Sequence, residues 1–305
     1  MEQSRVIGVD VGGTKILAAV VSRDGSLGVR LERPSDHSSQ DALLAELDSL
    51  VEELHRAEPE AVALGFGVPS RIDQRSGHAL KSVNIPLEGV DLRDRMREQH
   101  GLPVALDNDA NAAAIAEWRA GAGRGTTDMV MLTLGTGVGG GLILGGRPYR
   151  GSIGAGAELG HVVIVHDGVR CSCGGYGHLE SYVSGRAADE LAVETFGPAA
   201  DAHRLVRIAN EGDATALELL TEIGRKLGSG LGSIVNAYDP EVIVVGGGFA
   251  AADELLLAPA REVMEREALK PIREGMRVVR AELGTSAGMI GAALVALDAA
   301  DSTPA

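Results

Sequence analysis

The chain runs twice through the same short pattern of apolar strand, glycine turn and second strand. The first copy is Val6–Val11, Gly12-Gly13-Thr14 and Ile16–Val21; the second is Met129–Leu134, Gly135–Gly141 and Leu142–Leu144. Glycines between two apolar runs predict a tight reversal of the chain, because they tolerate the backbone angles that a hairpin turn needs. Two units of one make, in 305 residues of which 45% are hydrophobic, predict two similar domains, each able to bury a core. Around the hairpins, Gln40–Arg56 carries Leu43, Leu44, Leu47, Leu50, Val51 and Leu54 at helical spacing. Ala61–Phe66, Val104–Leu106 and Val242–Val245 read as buried strands, Ala110–Ala120 as an alanine-rich helix and Met289–Ala299 as a last apolar helix. This mixture is α/β. No low-complexity linker interrupts it, so the hinge is expected near Asp109–Ala120. A small domain over 1–113, completed by the C-terminal helix 289–305, would then precede a larger domain over 114–288.

The turns carry chemistry as well as geometry. Asp10-Val-Gly-Gly-Thr-Lys15 sets a carboxylate at a strand end, two glycines whose amides can approach phosphate oxygens, then a hydroxyl and an ammonium. Asp10 suits a hydrated Mg²⁺, while Gly12, Gly13, Thr14 and Lys15 suit phosphate. The spacing of a P-loop is absent. Gly135, Gly137 and Gly140 spell G-x-G-x-x-G, but a dinucleotide fingerprint must open a helix, and Leu142-Ile-Leu-Gly-Gly146 is strand-like. A second phosphate-facing turn, with Thr136 and Gly137 as donors, fits better. A third, Gly246-Gly247-Gly248, follows a strand and lets an adenosine lie against bare backbone at Gly247 and Gly248. One such turn is most simply a plain turn; three in one chain are harder to explain that way.

Asp107-Asn-Asp-Ala-Asn111 partly mimics a calcium loop, but Ala112 and Trp118 stand where glycine and glutamate are required. Asp107 and Asn108 read equally well as caps of the following helix. Asp109, at a strand-to-helix junction, is the better candidate for accepting a proton. Further on, Glu158-Leu-Gly-His161 precedes Cys171-Ser-Cys173 and Gly177-His178-Leu-Glu180. Two thiolates and two imidazoles make a complete tetrahedral zinc set: His161, Cys171, Cys173 and His178. His166 is a rival ligand by spacing, and two ordinary thiols without metal are the plainer alternative. With 43 acidic against 28 basic residues the formal charge is −15, which argues against a nucleic-acid partner. No apolar run is long enough for a membrane helix and Met1–Arg5 is too short for a signal peptide, so a cytoplasmic protein is expected.

Taken together these residues resemble the ROK family (repressors, open reading frames and sugar kinases), over nearly the whole chain and most closely its bacterial glucokinases. Asp10–Lys15 and Gly135–Gly141 look like its two phosphate turns, Asp107–Asn111 like its sugar-and-catalysis segment, and Glu158–His161 with Cys171–Glu180 like its E-x-G-H and cysteine signatures. The resemblance implies a two-domain actin-like (ribonuclease H-like) ATPase fold that closes around a sugar. It implies ATP and Mg²⁺ for the transfer, structural Zn²⁺, and a homodimer or larger homo-oligomer. It also implies Asp109 as catalytic base, with Gly67, Asn84, Asn108, Glu158, His161 and Glu180 on the sugar. Two positions depart from the family pattern. His178 replaces its third signature cysteine, and Ser70 stands in Gly65–Asp73 where glycine is usual. Glucose is the expected acceptor, with other hexoses or N-acetylmannosamine as runners-up and polyphosphate as a less expected donor. A family repressor would need an N-terminal DNA-binding domain ahead of Val6. A non-catalytic sugar sensor would have little use for Asp109 and intact phosphate turns, and a zinc hydrolase needs an open metal position.

Overall fold

A computed structural model describes residues 4–73, 78–82, 85–87, 89–273 and 275–302. The first half contains β1 (Arg5–Val11), β2 (Lys15–Ser22), β3 (Leu27–Pro34), α1 (Gln40–Ala57), β4 (Ala61–Val68), β5 (Ser70–Asp73), β6 (His78–Ser82), α2 (Leu92–His100), β7 (Val104–Asn108) and α3 (Asp109–Ala120). The second contains β8 (Met129–Leu134), β9 (Val138–Leu144), β10 (Arg147–Pro148), α4 (Glu180–Val183), α5 (Gly185–Phe196), α6 (Ala202–Asn210), α7 (Ala214–Tyr238), β11 (Val242–Gly246), α8 (Glu254–Glu267), α9 (Lys270–Arg273), β12 (Arg277–Arg280) and α10 (Ala287–Asp301).

The repeated hairpin of the sequence is a repeated sheet. One sheet has the order β3-β2-β1-β4-β7 and the other β10-β9-β8-β11-β12. In both, an antiparallel meander of three strands is extended by two parallel strands. This is the actin-like, ribonuclease H-like ATPase arrangement. Strand alternation then sorts side chains into three cores. Ile7 and Val9 pack outward against α1, while Ile243, Val245, Val130 and Leu132 pack outward beneath α5–α8. Val6, Ala63 and Ala105 of one sheet and Met129, Met131, Val242 and Val244 of the other face inward, onto α3 and α10.

The inner layer is thin because its residues are small. A side chain at Gly8 would overlap the Met289 carbonyl, and one at Gly65 the Ala292 carbonyl, so α10 rests directly on the backbone of β1 and β4. Gly291 likewise lies on the backbone of Ala112, bringing α10 against α3. Glu117, fully buried on α3, accepts from the amides of Ala122, Glu282 and Leu283 at 2.9, 3.1 and 2.7 Å. The exit of α3 and the entry to α10 are thereby tied at one point.

One local expectation changes. The second glycine run is not a turn throughout, since β9 begins at Val138 and takes up Gly139–Gly141. Those glycines admit neighbours: side chains at 139 and 141 would meet Ala110 and Ala114 of α3, and one at 140 the carbonyl of Ala157. Among the described residues no helix is long and apolar enough to cross a membrane.

Candidate active site

The carboxyl ends of the parallel strands open into a cleft of about 440 Å³ between the two sheets. The β1–β2 turn enters with Asp10, Gly12 and Gly13, the start of α3 with Asp109, and the β8–β9 turn with Gly135, Thr136 and Gly137. Gly247, after β11, completes the far wall. Its φ of +89° and its position against the Leu134 backbone both require glycine. Thr14 and Lys15 do not line the cleft. Lys15 runs along the exposed edge, its Nζ 3.2 Å from Glu32 Oε1. The first turn therefore lines the cleft with backbone and the Asp10 carboxylate, while the Lys15 charge acts on Asp10 from outside the lining.

Asp10 and Asp109 face one another's field. Burial, then the Asp109 charge, push the Asp10 carboxyl up to about 7, against an opposing effect of Lys15. Asp109 is also raised, chiefly by burial and to a lesser degree by Glu158, although it accepts a 2.9 Å bond from the Ala110 amide. Gly288, in the first turn of α10, lies against the Asp10 carboxylate so closely that a side chain there would overlap it. Two carboxylates short of countercharge, opposite glycine turns, suit a divalent cation and a polyphosphate.

A smaller space beside Asp109 is lined by Ser70, Asn108, Gly156 and Glu158. Asn108 is the N-cap of α3: its Oδ1 accepts from the Ala110 and Asn111 amides at 3.0 and 3.2 Å, leaving Nδ2 3.5 Å from the Ser70 carbonyl. Gly67 lines neither space; a side chain there would reach the Asp109 backbone only at ordinary contact range. Asn84 lies outside the described residues. Glu180 is engaged on both oxygens, Oε2 by the Val138 amide at 2.9 Å and Oε1 by Ser172 Oγ at 3.2 Å. It therefore buttresses the β8–β9 turn from the side of the cysteine segment.

His161, Cys171, Cys173 and His178 converge, with ligand atoms all within 4.8 Å of one another. Cys171 Sγ is 3.8 Å from His161 Nδ1 and Cys173 Sγ 3.2 Å from His178 Nδ1. With Nδ1 turned into the cluster, His161 Nε2 faces Glu158 Oε2 at 4.0 Å. The rival His166 is exposed and paired with Asp167 outside the cluster. The donor set and its compactness fit a tetrahedral zinc ion, with His178 in the fourth place.

A second pocket of about 380 Å³ shares Gly135 and Thr136 with the cleft and continues over Arg186, Asp189, His203, Gly248 and Phe249. None of these except the turn residues is visible as a site in the sequence, because helices α5 and α6 bring them in. Thr285 and Gly288 at the start of α10 also line the cleft. The run Gly284-Thr-Ser-Ala-Gly288 is a fourth glycine turn that could have signalled them.

The ROK family model matches residues 6–299. A glucokinase of Halalkalibacterium halodurans is 34% identical over 93% of this chain and 92% of its own. Among solved structures, a ROK family glucokinase from Streptomyces griseus in complex with glucose and AMPPNP is 34% identical, with a TM-score of 0.86 over 97% of this chain and 100% of that one. A ROK hexokinase from Thermus thermophilus is 37% identical, with a TM-score of 0.84 over 98% and 100%.

Proposed function

The chain belongs to the ROK family, and from that premise we propose that it is an ATP-dependent hexose kinase which transfers the γ-phosphoryl group to the 6-hydroxyl of glucose. The observation that carries this reading is one cleft in which Asp109, a carboxylate raised by burial, stands opposite two glycine turns and beside a small polar pocket. Asp109 accepts the proton of the sugar hydroxyl as its oxygen attacks the γ-phosphorus. Burial raises the Asp109 carboxyl above the ordinary carboxylate range, which makes its ionised form a stronger proton acceptor than an exposed aspartate.

The phosphates lie along the amides of Gly13, Thr136 and Gly137, with Gly12, whose amide closes the turn on the Lys15 carbonyl, and Gly247 letting backbone approach them. The nucleoside occupies the second pocket against Gly248. Asp10 would hold Mg²⁺ through water, and the cation would supply countercharge for the phosphate oxygens. Phosphoryl transfer asks little covalent chemistry of the protein, so positioning and charge make up most of its contribution. Asn108 Nδ2, Glu158, His161 and Glu180 surround the sugar. Zinc held by His161 Nδ1, Cys171, Cys173 and His178 would leave His161 Nε2 to face a sugar hydroxyl and would fix its tautomer.

Asp109→Asn is the direct test. Turnover should fall about 10²–10⁴-fold, roughly 3–5 kcal/mol of barrier, while sugar affinity and folding persist. Turnover within threefold of wild type would remove Asp109 from the mechanism.

A further inference from the structure

We infer that Arg150 is a positioning residue: its ion pair with buried Asp107 locks the loop carrying Glu158 to the end of β7, which leads directly into Asp109, and so sets the register of the two walls around the acceptor sugar. The inference rests on the sugar-kinase reading of this cleft.

The loop from Tyr149 to Glu158 is rooted at both ends in the C-terminal sheet. The Tyr149 amide donates to Leu142 O of β9 at 2.8 Å, and at the other end Ala157 and Leu159 pack on Gly140 of β9. Its middle leans on the other half of the molecule. Gly154 lies directly on the Ile72 carbonyl of β5, and Arg150 reaches Asp107 at the end of β7. Nε and Nη2 of Arg150 converge on Asp107 Oδ2 at 2.8 and 2.6 Å. The other oxygen, Oδ1, accepts from the Asn108 amide at 2.9 Å and Asn111 Nδ2 at 3.4 Å. Asp107 is thus enclosed and fully partnered, and Arg150 is its only cationic contact among the described residues.

Position gives the pair its consequence. Asp107 stands two residues before Asp109, and Arg150 eight before Glu158. The Gly156 amide donates back to Arg150 O at 2.8 Å, so the loop is closed on the residue that makes the bridge. Moving Arg150 therefore moves the segment leading to Glu158, whose charge already acts on Asp109. A helix cap needs only the Asn108 oxygen, which is present independently. The guanidinium adds nothing to that cap; what it adds is a tie between two walls that belong to different sheets. Charge-assisted bonds to an enclosed carboxylate are strong and directional, as a registering contact requires.

The test uses the full-length protein and whichever hexose the wild type phosphorylates best in a sugar panel. Arg150→Met should lower kcat/KM for that sugar about 10–100-fold, through both a higher sugar KM and a lower kcat, with ATP KM changed less than twofold; misplacement of about 1 Å at a reacting centre costs on that scale. Arg150→Lys should recover only part, since an ammonium cannot present two donors to one oxygen in the same plane. Because Arg150→Met strands a buried carboxylate, the double variant Asp107→Asn/Arg150→Met is measured beside it and should show the same sugar-selective loss in a stably folded protein. Hydrogen exchange supplies a readout independent of turnover: amides of 149–158, that of Gly156 above all, should exchange faster while those of α7 and β11 keep wild-type protection. Unchanged sugar kinetics in the double variant, an equal loss towards ATP, or faster exchange spread over the whole chain would each overturn the inference. A wild type inactive on every hexose would instead bring down the kinase reading, and the inference with it.

Discussion

Replacing Asp10 by Asn should make the ligand-free protein more stable while it loses response to Mg²⁺-ATP. The Asp10 carboxyl is raised from its ordinary 3.8 to about 7 by burial and by Asp109. A group raised in the folded state contributes stability that is fully present below its unfolded value and is lost as pH rises through the folded one. For Asp10 that window runs from about pH 4 to about pH 7. At about 1.4 kcal/mol per tenfold change in acidity, the difference between 3.8 and about 7 amounts to at most ~4 kcal/mol. Water entering the open cleft screens the charge and brings the expected cost to ~1–3 kcal/mol. Asparagine has the same shape and no such cost. Thermal melts of both proteins should therefore coincide near pH 4, and the variant should melt about 2–6 °C higher at pH 8. Saturating Mg²⁺-ATP should raise the wild-type Tm at pH 8 and leave the variant's nearly unmoved. A variant that melts at or below wild type at pH 8, or a gap of equal size at pH 4 and pH 8, would refute the reasoning.

Other consequences of the geometry are as direct. Gly65→Ala should destabilise by about 3 kcal/mol or more in chemical denaturation, because a side chain there meets the backbone of α10 rather than a movable group; a cost below 1 kcal/mol would contradict that packing. The purified protein should carry one zinc, with X-ray absorption giving two sulfurs near ~2.3 Å and two nitrogens near ~2.0–2.1 Å; stoichiometric zinc in His178→Ala would show that the fourth ligand is another residue. Gly137→Ala should raise ATP KM about tenfold, since the new methyl presses on Glu180, which holds the turn through the Val138 amide; an unchanged KM would detach that turn from the phosphates.

Sequence patterning carries the fold wherever a period of side chains faces a core. The leucine stripe of α1, the two hairpins and the Val242–Val245 strand are visible for that reason. β3 is less so, because it is the sheet edge: its apolar alternation is only Leu27, Val29 and Leu31, and Leu27–Pro34 is largely solvated. The glycines of β9 mislead in the opposite direction: residue identity does not distinguish a glycine that turns the chain from one that lets α3 approach, and only the packing partner decides. The candidate site divides along similar lines. Asp109 and the two-thiolate, two-imidazole cluster stand out because their chemistry is contained in short runs of sequence. The Arg150–Asp107 pair joins residues 43 apart, and the Glu117 tie to Leu283 joins residues 166 apart, so neither has a local signature. Lys15 shows the limit of adjacency. It is next to the first turn and shares the inner face of β2 with Leu17, yet its ammonium is paired with Glu32 of the edge strand β3 and does not line the cleft.

The central claim is the identity of the reaction, and a sugar panel in a coupled ADP-release assay tests it most directly. Glucose, other hexoses, N-acetylmannosamine and N-acetylglucosamine would be compared at saturating Mg²⁺-ATP, with the product of the best acceptor identified by NMR. Glucose should have the highest kcat/KM and yield the 6-phosphate, because a site whose polar groups each engage a ring hydroxyl discriminates against analogues that leave one unpaired. A higher kcat/KM for another sugar would contradict the assignment of glucose, and ADP release that no sugar stimulates would contradict the kinase itself.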